Sequence, residues 1–172
     1  YIGRDPYRTS MAEIIMDNPA AGCTMLFNRP LRDAALELQD PTKIEMHDVW
    51  ILALAAAYGT EHVGVVDEAC AYYRQHANNE MGARTESKAD KIKRNLIDLC
   101  SGRFMQQKRA FLQKGRDLAG QMYLVDVLPE KQKKILEEFS EIGKLSKWQR
   151  IKFYKKYGFT RNQGTGWMYL WI

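Results

Sequence analysis

Residues 47–58 (HDVWILALAAAY) read as a helix with apolar side chains on nearly every side, and Gly59 follows as its stop. A helix that is apolar all round cannot lie at a surface and has to be wrapped by other elements. It is also shorter than the roughly 18 apolar residues needed to cross a bilayer, so it reads as a buried helix. The rest of the chain must supply the shell. A chain of 172 residues, 45% of them hydrophobic, is large enough for one domain or for one core with an appendage. Apolar and aromatic residues recur along its whole length, which excludes a disordered chain.

The segments around that helix divide into two kinds. Residues 9–17 (TSMAEIIMD) read as a short helix capped by Thr9 or Ser10 and stopped by Asn18-Pro19. Residues 23–27 read as a buried strand behind a small-residue turn, and Pro30 suits the first turn of a helix over 31–38. Residues 61–66 (EHVGVV) and 69–74 (ACAYYR) read as two strands joined at Asp67-Glu68, with a polar loop over 77–85. Beyond Thr85 the spacing is helical only. Ile92, Leu96, Ile97 and Cys100 mark one amphipathic helix, residues 104–128 one or two more, and Pro129 opens another with Ile135, Leu136 and Phe139 on one side. Ser146 caps a last helix that Gly158 ends. The expected boundary therefore lies near residue 85, with 1–85 as one unit and 86–172 as a basic helical extension.

Charge follows the same division. Net charge is +5, but residues 1–80 hold 6 Lys/Arg against 12 Asp/Glu, and residues 81–172 hold 20 against 9. The basic half suits an anionic surface, either nucleic acid or phospholipid headgroups. The charge is densest over 131–161, which has 10 Lys/Arg and 3 acids interleaved with Trp148, Phe153, Tyr154, Tyr157 and Phe159. Those aromatics can be inter-helix packing or a membrane anchor. Cys23, Cys70 and Cys100 stand far apart with no CxxC pair, which argues against a zinc knuckle and for reduced, buried thiols in a cytoplasmic protein. The reading expects no signal peptide. A start at Tyr1 rather than Met reads as a piece of a longer protein.

Three features carry chemistry: the turn at Gly22, the His47-Asp48 pair opening the apolar helix, and Tyr-Arg-Gln-His at 73–76. Each alone has an ordinary structural use, as a turn, a helix-dipole partner and a strand end. In order, NPAAGCTMLFNRPL, MHDVWILALAAAYG and YYRQHANNEMGA resemble the second half of rhamnosyltransferase-like members of bacterial glycosyltransferase family 2, over about residues 10–85.

The resemblance implies an α/β fold, predominantly helical over this stretch: the C-terminal portion of a GT-A, Rossmann-like domain with a few strands and a helical extension. It implies an inverting sugar transfer in surface polysaccharide biosynthesis, from a nucleotide-sugar donor to a saccharide or lipid-linked acceptor. Asp48 matches the catalytic base, and Gly22, Cys23, His47 and Arg74 fall at substrate-binding positions. His76 matches the histidine that helps hold a divalent metal, Mg²⁺ or Mn²⁺, in the intact enzyme. One departure is decisive for the donor side. No Asp-x-Asp occurs in the chain, so this chain alone is expected to bind neither metal nor donor. Its expected place is the cytoplasm, peripheral at the inner face of the membrane. Two other readings stand beside this one, a catalytically inactive helical interaction module and a basic nucleic-acid-binding protein. No recognised motif accompanies the charge to support the last, so no nucleic acid is expected.

Overall fold

The computed structural model describes residues 5–72 and 102–161. Helix α1, Met11–Met16, starts from a reciprocal cap. The Ser10 hydroxyl oxygen accepts the Glu13 N–H at 3.4 Å, and the Glu13 carboxylate accepts from the Ser10 N–H at 3.4 Å and from its hydroxyl at 2.6 Å. Helix α2, Arg29–Ala35, has Asn28 as its cap, accepting the Leu31 N–H at 3.1 Å, and Pro30 in its first turn. The apolar helix is α3, His47–Ala57. Beyond the undescribed stretch come α4, Arg103–Tyr123, then α5, Glu130–Ser140, and α6, Lys147–Tyr157. Gly158 ends α6 in the left-handed region at φ 76°.

The requirement that α3 be wrapped is met by packing on several sides. Trp50, Ala53, Leu54, Ala56 and Ala57 are buried. Helices α1 and α2 both lie against α3, and the Trp50 indole N–H donates to the Ala35 carbonyl at 3.1 Å, tying α3 to the end of α2. A fully buried Leu54 contributes about 1.5–3 kcal/mol relative to an exposed one. Helix α4 buries Leu112, Gly115, Leu118, Ala119 and Met122, at helical spacing, against α5 and α1. Gly115 lies where Ile15 of α1 and Phe139 of α5 converge. Phe139 stacks on Phe159 at 4.2 Å between ring centroids, with Phe153 and Tyr154 around them.

One hydrophobic cluster runs from Met11 to Phe159 and draws on residues from both sides of the undescribed stretch. Its ends are also stitched together. The Arg8 guanidinium donates to the Thr160 carbonyl, and Arg161 lies 3.8 Å from the Asp17 carboxylate. The expected boundary near residue 85 and the helix expected over 85–102 lie outside the described residues.

The α/β expectation is corrected. Among the described residues there is no strand, and so no Rossmann-like sheet portion. Gly22–Thr24 and Thr60–His62 are short 3-10 turns, and the chain that follows each is extended without a ladder. The physical reason is that a strand is defined by its partner. Backbone N–H and C=O groups form a ladder only against a neighbouring segment, and among the described residues none faces 25–27 or 63–72. Val63 packs against the core and Met25 and Val65 are half-buried, but Leu26 and Tyr72 are fully exposed. The last two residues of the expected second strand, 73 and 74, lie outside the described residues. Among the described residues no helix is long and apolar enough to cross a membrane.

Candidate functional site

The N-terminus of α3 opens onto a cleft of about 180 Å³. Its walls come from the end of α1 (Asp17, Asn18), the small-residue turn (Ala20, Ala21), residues 43–46 leading into α3, one face of α4 (Phe111, Lys114, Leu118) and Arg161. The sequence builds this shape locally. Asp17 and Asn18-Pro19 end α1 after six residues, so the chain turns away and leaves the α1 C-terminus at the opening. The 3-10 turn Pro41–Lys43 is fixed by Asp40, whose carboxylate accepts from the Thr42 hydroxyl at 2.6 Å and the Thr42 N–H at 3.0 Å. These two hydrogen bonds hold the Asp40 carboxyl below its ordinary pKa.

Asp48 is the second residue of α3 and is 3% exposed. Its carboxylate accepts the Val49 N–H at 2.7 Å and lies among the unpaired N–H groups of the first helical turn. Among the described residues no cation pairs with it. A buried carboxylate with one backbone donor retains acceptor capacity on its other lone pairs, and the open side here is the cleft. Asp17, 6% exposed, is the second buried acid of the cleft, and it is paired with Arg161, whose guanidinium also sits 4.8 Å over the Phe111 ring. At the rim, Lys114 is bonded to Glu45. Lys43 makes no ion pair among the described residues.

The candidate residues read from the sequence fall out as follows. Gly22 opens its 3-10 turn directly against the imidazole of His47, so the glycine turn and the His47-Asp48 pair meet across 25 residues of chain. Cys23, next to Gly22, is exposed as a free thiol, and Cys70 is exposed too, which corrects the expectation that both are buried. Among the described residues no strand covers them. Arg74 and His76 lie outside the described residues. The implied divalent metal is not accommodated by what is described: among the described residues no group of three or more His, Cys, Asp and Glu side chains stands together.

Sequence reasoning missed Asp17, Lys43, Lys114 and Arg161 as cleft residues. Asp17 carried a weak signal, as an acid at a helix stop before Asn-Pro. Nothing local could join it to Arg161, because that contact exists only once the C-terminal segment folds back over α1 and α4. Chemically, the cleft offers a buried carboxylate at Asp48 with free acceptor capacity, a second one at Asp17 paired with Arg161, and Lys43 and the Lys114–Glu45 pair along its wall. No protein-family model matches this chain, and no curated protein and no solved structure matches it.

Proposed function

We propose that this chain supplies the acceptor side of an inverting glycosyltransferase active site, with Asp48 as the general base. The observation that carries this reading is Asp48 itself, which lines the cleft from the first turn of α3, is buried, and has no pairing cation among the described residues. A carboxylate already neutralised by a lysine or arginine would be a poor base. One held by a single backbone N–H keeps a lone pair for a hydroxyl.

The step is a displacement at the anomeric carbon. An acceptor hydroxyl in the cleft gives its proton to Asp48 as its oxygen bonds to that carbon, and the bond to the nucleoside diphosphate breaks with its electron pair, inverting the centre. His47 precedes the base and lies exposed against Gly22, outside the residues that line the cleft. Lys43, which lines the cleft and makes no ion pair among the described residues, favours an acceptor that carries negative charge, such as a phosphate-linked saccharide. The donor-binding chemistry is assigned to residues other than those described.

The test uses the protein expressed from its full reading frame. Release of nucleoside diphosphate from a panel of UDP- and dTDP-sugars is measured for the wild type and for Asp48→Asn, which keeps the shape and removes the base. Turnover should fall by about 10² to 10⁴ with the fold intact. Turnover within twofold or so of wild type would remove Asp48 from the mechanism.

A further inference from the structure

Helix α6 sorts its side chains by environment. Phe153 and Tyr154 are buried against Phe139 and Phe159. Trp148, Lys152, Lys155 and Lys156 are all exposed, at positions i, i+4, i+7 and i+8. That spacing puts them on one face, because the helix repeats every 3.6 residues. Trp148 is 71% exposed. Lys147–Tyr157 (KWQRIKFYKKY) contains no acid, and among the described residues Lys152 and Lys155 take part in no ion pair.

We infer that this face of α6 docks on an anionic lipid surface. A large aromatic side chain left in water beside unpaired lysines fits a membrane interface, where the indole sits at headgroup level and lysine stems extend toward phosphates. Single-stranded nucleic acid is the weaker match. Proteins that bind it stack successive bases on successive aromatic side chains, whereas here Phe153 and Tyr154 face the core and Trp148 stands alone.

The face is also close to the cleft. Arg161 lines the cleft and follows Lys156 by five residues, so the two Cα atoms lie within about 18 Å. Docking would bring the Asp48 cleft to a membrane carrying its acceptor. The lipid inference itself stands apart from the role of Asp48.

Co-sedimentation of the full chain with vesicles tests it. Vesicles of phosphatidylcholine with about one third phosphatidylglycerol should pull the protein down, and pure phosphatidylcholine should not. Raising salt shortens the screening length from about 30 Å at 0.01 M to about 8 Å at 0.15 M and should weaken binding. Each lysine at an anionic surface is worth about fivefold, so Lys152→Gln/Lys155→Gln/Lys156→Gln should bind on the order of a hundredfold more weakly. Trp148→Ser should weaken binding at both salt concentrations. All four side chains are exposed, so circular dichroism should report an unchanged fold. Asp48→Asn should sediment like wild type, which keeps the two readings separable. Protein that stays in the supernatant with anionic vesicles at low salt overturns the inference. So does a triple variant that binds as well as wild type, or a short single-stranded oligonucleotide that binds more tightly than the vesicles with the same lysine dependence.

Discussion

The imidazole of His47 occupies the space that a side chain at Gly22 would need. A Cβ built on Gly22 would stand 3.2 Å from Cε1 and 3.4 Å from Cδ2 of that ring, and closer still to Nε2. The Gly22 backbone is not in the left-handed region, unlike Gly59, Gly102 and Gly158. What glycine provides here is the close approach of the His47 ring, not a backbone conformation. The contact sets the position of the residue that precedes the proposed base.

Gly22→Ala should therefore displace the His47 ring. The ring is exposed and can swing outward, so the stability loss should stay below about 1 kcal/mol. Misplacement of the site should nevertheless lower kcat/KM by about ten- to a hundredfold in the full-length protein. Steady-state kinetics with a thermal melt would check this. Unchanged kinetics would mean that the contact is packing alone.

Gly59 is the second glycine under constraint. Its φ of 137° and ψ of 152° fall in a region that only glycine enters readily, where it turns the chain off the end of α3. A Cβ there would also run into the Glu61 carboxylate. Gly59→Ala should cost about 1–3 kcal/mol in urea unfolding. A neutral substitution would show that the turn relaxes freely.

Phe159 holds the C-terminal segment down. Its ring stacks on Phe139 at 4.2 Å and touches the neighbourhood of Phe153 and Tyr154. Phe159→Ala should destabilise by about 3–5 kcal/mol, lowering Tm by roughly 10 °C for a chain of this size. Because Arg161 follows two residues later, cleft-dependent activity should fall with it. A Tm shift of a degree or two would place the stack outside the cooperative core.

Tyr154 predicts an alkaline limit. Burial pushes its phenol from 10.0 up to about 12, with Arg150 and Arg116 partly opposing. The folded pKa is raised, so the contribution is complete below about pH 10, the unfolded value, and is lost as pH rises through about 12. The difference is worth about 2–3 kcal/mol. Melts between pH 9 and 12 should show wild type losing stability faster than Tyr154→Phe. Parallel curves for the two proteins would remove Tyr154 as the cause.

By itself the sequence determined the helices and their ends. The Ser10 cap of α1, Pro30 in the first turn of α2, the all-round apolar α3 stopped before Gly59, and Gly158 closing α6 are each written within a few residues of where they act. Their chemistry is local: a side chain satisfies a nearby backbone group, or a glycine takes a dihedral that others avoid. The contact between Gly22 and the His47 ring was not legible in the spacing, since spacing alone does not join a turn to a helix N-terminus.

What only tertiary structure decided is everything that needs a distant partner. Residues 23–27 and 61–66 have strand-like composition, but a ladder needs a second chain segment at hydrogen-bonding distance, and none faces them among the described residues. Asp17 meets Arg161, and Trp148 parts from Phe153, because folding carries the C-terminal segment across α1 and α4. Alternating or basic patterns state what a side chain prefers, and the long-range packing decides which of those preferences are met.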